Sequence, residues 1–535
     1  MRGVVVVVVA VCAGVLVSCV STQQVAVGGP DPRAGLPPLD SASASAPPLR
    51  TVLRLSDKDP IINVRVVFQS GSADDPAGKE GLTALTARLM REATVDKDAA
   101  ALSDALFPMA AELAVHTDKD AVVFSGRCHK DHKDAFLRLF TDVVTRPRLD
   151  PRDFARLKDD ASAFLTSTLR ANSDEALQRE ALEAVLYDTT AVLPGTPPAS
   201  ARHPYRHTPR GTVAGLASVT LDDVKAQMAR VFTQDRVVTG VGGGGDDAFV
   251  DALSTALRSL PATSEARAAV ATPELKLGPK LLVVDKPAAG SAISLGFPVS
   301  LSRSHPDYPA MKLAETWFGE HRNLIGHLFH SMREVRGLNY GDYAYVEHFV
   351  QDGWSTLERT NVPRRSQYFS MWIRPVEHKN RLFALRMAAW ELGRFVDKGI
   401  PDDDSFTAVK SFVRGYWKAK EQDPMRRLGY AIDDVVTGMP FDRDGLRARV
   451  ETLTRADVNA AIARHLQKDH VFYVVVTQDA APLVADLVAD KPSPIAYPGV
   501  VAPGVLKEDE EIVVFDLGLD KDDITVAQPQ VLFQQ

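Results

Sequence analysis

Histidine, cysteine, glutamate and glycine gather at three places where their spacing could support chemistry. The first is His321, His327 and His330 with Glu334. On a helix, His327, His330 and Glu334 would share one face, and imidazoles with a carboxylate can hold zinc. Their spacing matches no established metal motif, so an ordinary helix is the expectation. The second place is Cys128-His129 with His132, where a strand gives way to a helix. A thiolate and two imidazoles could bind a metal there, but an exposed, solvated turn is the simpler reading. The third is Gly242 to Gly245, after the strand Arg236–Val241. A phosphate loop needs Lys and then Ser or Thr directly after its glycines. They are missing, which leaves a permissive turn and argues against a nucleotide site.

The elements that must position such residues show an internal repeat. Thr220-Leu221-Asp222-Asp223-Val224 aligns with Thr454-Arg455-Ala456-Asp457-Val458, without a gap through to Arg230 and Arg464. Asp235 and Val237 fall on Asp469 and Val471 at the same offset. Each copy opens with Thr-x-x-Asp, a cap in which the threonine oxygen satisfies a free amide of the first helical turn. Asp150, Phe154 and Lys158 answer Asp402, Phe406 and Lys410 in the same order. Two similar halves follow, over 49–270 and 276–480, with a linker near Pro261–Pro279. β-branched content predicts strands at Ile61–Phe68 and Ala121–Arg127, and helical periodicity predicts helices over 131–146, 151–170 and 175–188. Long helices grouped against short strands predict an α+β fold, each half an antiparallel sheet packed with helices. Residues 481–535 read as an extended C-terminal arm with an acidic run, Lys507-Glu508-Asp509-Glu510-Glu511, and a candidate strand at Ile512–Phe515.

Composition sets the outer bounds. The 535 residues are 45% hydrophobic and 24% charged, ordinary globular material for about two to four domains. A net charge of -7 without a basic stripe argues against nucleic acid as a partner. Arg2 precedes an apolar run from Gly3 to Val17, too short to span a bilayer comfortably and shaped like a secretion signal. Its end, Leu16-Val17-Ser18-Cys19, is similar to a bacterial lipobox, which closes a signal segment over residues 1–19 and implies that Cys19 is lipidated and becomes the mature N-terminus. A plain signal peptide cleaved elsewhere is the alternative. Val20 stands where such lipoproteins carry an aspartate for inner-membrane retention. The periplasmic face of the outer membrane is therefore the expected location in the cell envelope. Residues 20–48, rich in Ser, Ala, Pro and Gly, read as a flexible tether between membrane and domain. With Cys12 in the signal and Cys19 lipidated, Cys128 has no cysteine to pair with in the mature body.

Against this background, the stretch Val66-Val67-Phe68-Gln69-Ser70-Gly71-Ser72-Ala73-Asp74-Asp75, followed by GLTALTARLMREAT from Gly81 to Thr94, has a family look. It resembles the opening strand, turn and first helix of the insulinase/pitrilysin (M16) peptidases. In that family the helix carries His-x-x-Glu-His, whose histidines bind zinc while the glutamate activates a water. Aligned on Gly81 and Thr94, those positions are Ala84, Ala87 and Arg88. A methyl group has no lone pair and no carboxylate, and a guanidinium stays protonated and repels a cation. The family's third ligand, a glutamate on a later helix, aligns near Ala163 or Phe164, and no acidic residue occurs between Asp160 and Asp174. The resemblance thus implies the fold without its zinc, so no cofactor and no catalytic residue is expected in this chain alone. His203-Pro204-Tyr205 ahead of Gly211 resembles the family's passage into the capped helix, and His203 and His207 are expected to be structural.

The C-terminal half resembles the family more strongly. Arg333-Glu334-Val335-Arg336-Gly337-Leu338-Asn339-Tyr340 is similar to its Arg-Glu-x-x-Gly-Leu-x-Tyr segment. Taken alone, Gly337 explains a helix end and Arg333 or Arg336 would favour its negative pole. In the family, an arginine and a tyrosine at this spacing reach toward the zinc, one holding substrate carbonyls and the other donating to the oxyanion. That implies Arg333 and Tyr340 as substrate-binding residues. The whole resemblance implies a non-catalytic peptidase subunit that completes the site of a zinc-bearing insulinase-family homologue, with a peptide or unfolded polypeptide as substrate. The alternative is a peptide- or protein-binding scaffold lipoprotein with no part in proteolysis.

Overall fold

Ile61–Phe68 buries seven of its eight residues, and a strand so fully buried must be covered on both faces. The computed structural model shows by what. It describes residues 49–535 except 57, 189–202, 268, 274–277, 441 and 498. Cys19 and the tether over 20–48 therefore lie outside the described residues. Among the described residues, eleven strands make two sheets. The first contains β1 (Arg50–Leu55), β2 (Ile61–Phe68), β3 (Glu112–Thr117), β4 (Val122–His129) and β5 (Val237–Gly243) in the order β1-β5-β2-β4-β3. The second contains β6 (Lys280–Asp285), β7 (Ser291–Val299), β8 (Asp342–Tyr345), β9 (Gln367–Val376), β10 (Phe472–Thr477) and β11 (Ile524–Ala527), in the order β11-β6-β10-β7-β9-β8. Pairing is antiparallel except at one end of each sheet, where β1 runs parallel to β5 and β6 runs parallel to both β10 and β11. No described helix is long and apolar enough to cross a membrane.

Each sheet has one face covered by a helix from the other half. On the first sheet, Val66, Phe68 and Phe124 pack against Phe136, Phe140 and Leu253 of N-terminal helices. Its opposite face, with Val52, Val67 and Val238, meets Leu428, Ala431 and Ile432 of the helix Pro424–Thr437. Reciprocally, Leu177, Ala181 and Val185 of the helix Asp174–Tyr187 pack against Leu282, Val474 and Val476 of the second sheet. Each such side chain removed from water contributes about 1.5–3 kcal/mol. The exchange explains a glycine in β5: a Cβ on Gly240 would lie 2.5 Å from Ile432 Cδ1.

The two copies of the capped helix, Leu221–Val231 and Arg455–His465, both form the reciprocal Thr/Asp cap. The predicted strands and helices of the N-terminal half appear close to their expected bounds, with Phe164–Asn172 widening into a π-helix.

Four expectations are corrected. The acidic run is helical, within Pro503–Ile512, so no strand forms at Ile512–Phe515. Pro503 suits a first helical turn, and Glu508 and Asp509 are held there by Arg336 at 3.0 and 2.8 Å. The strand forms later, as β11, and Leu532 and Phe533 then reach the shared core, so the C-terminal segment is packed rather than extended. Gly242 and Gly243 belong to β5 and do not form a turn; Gly243 has φ +73°, and a Cβ there would strike the Ile61 carbonyl. Cys128 is buried in β4 instead of lying in an exposed loop, and burial pushes its thiol up to about 12.

Candidate functional site

Between the sheets lies a cavity of about 660 Å³. One wall is the helix Leu82–Glu92, which presents Ala84 and Arg88, with β3 beside it. Among the described strands β3 pairs only with β4, so its other backbone edge borders the cavity, with Arg91 donating to the Leu113 carbonyl at 3.1 Å. The helix Asp174–Tyr187 contributes Arg179, Glu180 and Glu183, and the loop Thr208-Pro209-Arg210 closes one end. The second sheet faces them with Tyr345 and Trp372. Gly81 lets the loop sit this close: it has φ +106°, and a Cβ would lie 2.6 Å from the Arg210 carbonyl oxygen. Arg206 fixes the loop by donating to Glu80 at 2.8 Å, both side chains buried.

The positions aligned with the family's metal ligands do converge on this cavity, but their side chains do not fit a metal. Ala84, Arg88 and Phe164 line it, whereas Ala87 is wholly buried in the core beneath the first sheet. Arg88 approaches Asp160 at 3.6 Å, a carboxylate that is half exposed. Methyl, phenyl and guanidinium groups offer zinc no electron pair. His116 also lines the cavity; burial, then Arg359, lowers its pKa to about 4, so it is neutral near pH 7. Among the described residues, the group of His, Asp and Glu close enough to share an ion is His305, Asp307 and His465. Arg464 already donates to Asp307 there at 2.9 Å.

A buried ionic bridge joins the halves at the cavity floor. Arg364 donates to both oxygens of Asp118 at 2.9 and 2.7 Å and pairs with Glu183 at 2.7 Å. Burial alone would raise the Asp118 carboxyl, but Arg364 and then His348 hold it at about 2. Next along the turn, Asp120 receives Arg365 at 2.8 Å and Arg267 at 2.7 Å. Lys119, fully buried, donates to the Tyr205 carbonyl at 3.1 Å and pairs with Glu183 at 3.2 Å.

Arg333 and Tyr340 are not in the cavity wall. The Arg333 guanidinium lies over the rings of Phe329 and Tyr340, at 4.5 and 5.9 Å, and Tyr340 is 76% exposed. The two side chains are adjacent on the C-terminal half, outside the cavity toward which the resemblance implied they would reach. The histidine group is dispersed: His321 meets the Tyr345 hydroxyl at 2.6 Å, His327 meets Glu391 at 2.9 Å and His330 meets Glu334 at 2.8 Å. His129 caps a turn by accepting from the Asp131 amide at 3.3 Å. His203 bonds the Ala271 carbonyl at 2.9 Å and stacks on Tyr187, and His207 is buried against the Thr208 carbonyl at 2.8 Å. The cavity arginines Arg179 and Arg210 and the bridging Arg364 carry no motif, and only the fold brings them together.

Two family descriptions match the chain: "Insulinase (Peptidase family M16)" over residues 50–192 and "Peptidase M16 inactive domain" over 218–358, together just over half of it. The non-peptidase homolog YmxG of Helicobacter pylori is 20% identical over 77% of this chain and 88% of its own. An uncharacterized zinc protease of Mycobacterium tuberculosis is 22% identical over 80% and 92%. Among solved structures, a peptidase M16 inactive domain from Pseudomonas fluorescens superposes with a TM-score of 0.68 at 21% identity, covering 80% of this chain and 95% of that one. The matches run from β1 through the first sheet and into the second as far as β8, and the chain belongs to the M16 insulinase family.

Proposed function

We propose that this chain is a non-catalytic M16 member that binds an extended polypeptide between its halves and works beside a zinc-bearing family chain. The observation that carries the reading is an open cleft bordered by the edge of β3 that pairs with no described strand, with Ala84 and Arg88 on the wall where the family places zinc ligands. An exposed strand edge can pair with an added strand, which gives affinity through the backbone and leaves side-chain pockets to give selectivity. Relatives described as non-peptidase and as zinc protease both resemble the chain; the residues at 84, 87 and 88 favour the former. Exposed Tyr340 and half-buried Arg333 beside it, both outside this chain's own cleft, support their service to a second chain. Lipid on Cys19 would hold the protein at the envelope.

The test is to mix the mature chain with a zinc-bearing homologue and follow cleavage of a fluorogenic peptide. Activity above that of either component is expected. Arg333→Ala should mainly raise KM, and Tyr340→Phe should mainly lower kcat, by about 2.7–4 kcal/mol if its hydroxyl serves the oxyanion. No gain on mixing, with peptide binding retained, would leave the scaffold reading. Cleavage by this chain alone, abolished by a chelator, would overturn the proposal.

A further inference from the structure

The cleft's charge is opposite to what a metal site requires. Five arginines line it from the N-terminal half: Arg88 and Arg91 on one helix, Arg156 on a second, Arg179 on a third and Arg210 on the loop. Arg156 is paired with Glu92 at 2.5 Å. Arg91 is spent on the Leu113 carbonyl at 3.1 Å. Arg88 has only the long contact to Asp160. Among the described residues, Arg179 and Arg210 form no ion pair, and Arg179 spends only its Nε, on the Glu175 carbonyl at 3.3 Å. Each instead has an aromatic ring under its guanidinium: Trp372 at 4.3 Å for Arg179 and Phe164 at 3.8 Å for Arg210. A ring orients a guanidinium face-on and leaves its N–H edge free for a planar acceptor. Phe164 is also the residue aligned near the family's third metal ligand, so that position now supports a cation instead of binding one. Burial and then nearby Arg88 oppose the charge on Arg210, Glu180 offsetting part of this, and two like charges kept together create demand for an anion. The carboxylate close to them, Glu180, is pushed toward its neutral form by burial and then by Glu183.

We propose that Arg88, Arg179 and Arg210 form a carboxylate-recognition site in the cleft, taking an acidic side chain or the free C-terminus of the bound polypeptide. The site rests on the peptide-binding reading above and adds its selectivity. A carboxylate matches the guanidinium edge with two parallel hydrogen bonds, which a neutral amide cannot provide.

The test uses the full mature chain and four fluorescein-labelled peptides of one extended sequence: neutral with an amidated C-terminus, the same with one central glutamate, the same with one central lysine, and the neutral one with a free C-terminus. Anisotropy titrations at low and high salt give the affinities. The glutamate peptide, the free-C-terminus peptide or both should bind about tenfold more tightly than the neutral amide, and lysine more weakly. Whichever carboxylate peptide gains identifies the source. Arg210→Gln and Arg88→Gln should each reduce that preference while the neutral peptide's affinity is kept. Equal affinities across the four peptides, or an unchanged preference in both folded variants, would overturn the site and leave the peptide-binding reading standing. Failure of all four to bind would overturn both.

Discussion

The first helix of each half occupies a similar place in the fold, after two strands of its own sheet, yet the two are used differently. In the C-terminal half the helix Tyr308–Gly319 is closed by its own chemistry: Lys312 pairs with Glu315 at 2.7 Å, Glu315 accepts from the Val346 amide at 3.1 Å and Tyr308 donates to Glu347 at 3.0 Å. The space beside Tyr308, Lys312 and Glu315 is about 70 Å³. In the N-terminal half the helix Leu82–Glu92 faces about 660 Å³, and Arg88 has one long ionic contact. Polar groups that satisfy one another hold a fold together. Those left waiting in a cleft are available to a ligand.

Breaking the closed polar structure should cost most. Arg364→Ala strands Asp118 and Glu183 in the interior and should reduce stability by about 3–5 kcal/mol, read as a large fall in the thermal midpoint. A pH effect comes next. Asp342 is fully buried, and burial raises its pKa from 3.8 to about 8, an effect that the hydrogen bond from Asn339 only partly offsets. A raised carboxyl contributes stability below its unfolded value and loses it as pH rises through its folded one. Asp342→Asn should therefore gain on the natural protein in denaturant titrations as pH increases from 4 toward 8. Tyr308→Phe removes one hydrogen bond to Glu347 and should cost about 1 kcal/mol. Arg210→Gln, on the open side, should change stability by less than about 0.5 kcal/mol. A large loss there would erase the contrast between the two helices.

Much of this was legible in the sequence, for identifiable reasons. The α+β class and the repeated capped helices follow from Thr-x-x-Asp caps and helical periodicity, both local signals. The changes at 84, 87 and 88 were visible because a motif has fixed spacing. The exchange of helices between halves was not, because Leu428 and Ile432 form an ordinary apolar helix face whichever sheet it covers. Arg179 and Arg210 were equally invisible, since a lone arginine gains meaning only from the ring beneath it and the cavity it lines. The acidic run misled because its partners, Arg336 and Arg394, are remote in sequence.

The central claim is that this cleft holds polypeptide without cutting it. The most direct measurement incubates the mature chain with a labelled extended peptide, with and without added zinc, and records anisotropy and then the intact mass of the peptide from the same samples. Saturable binding with an unchanged peptide mass in both samples is the predicted result. Fragments that appear with zinc and disappear with a chelator, or no binding in either sample, would contradict it.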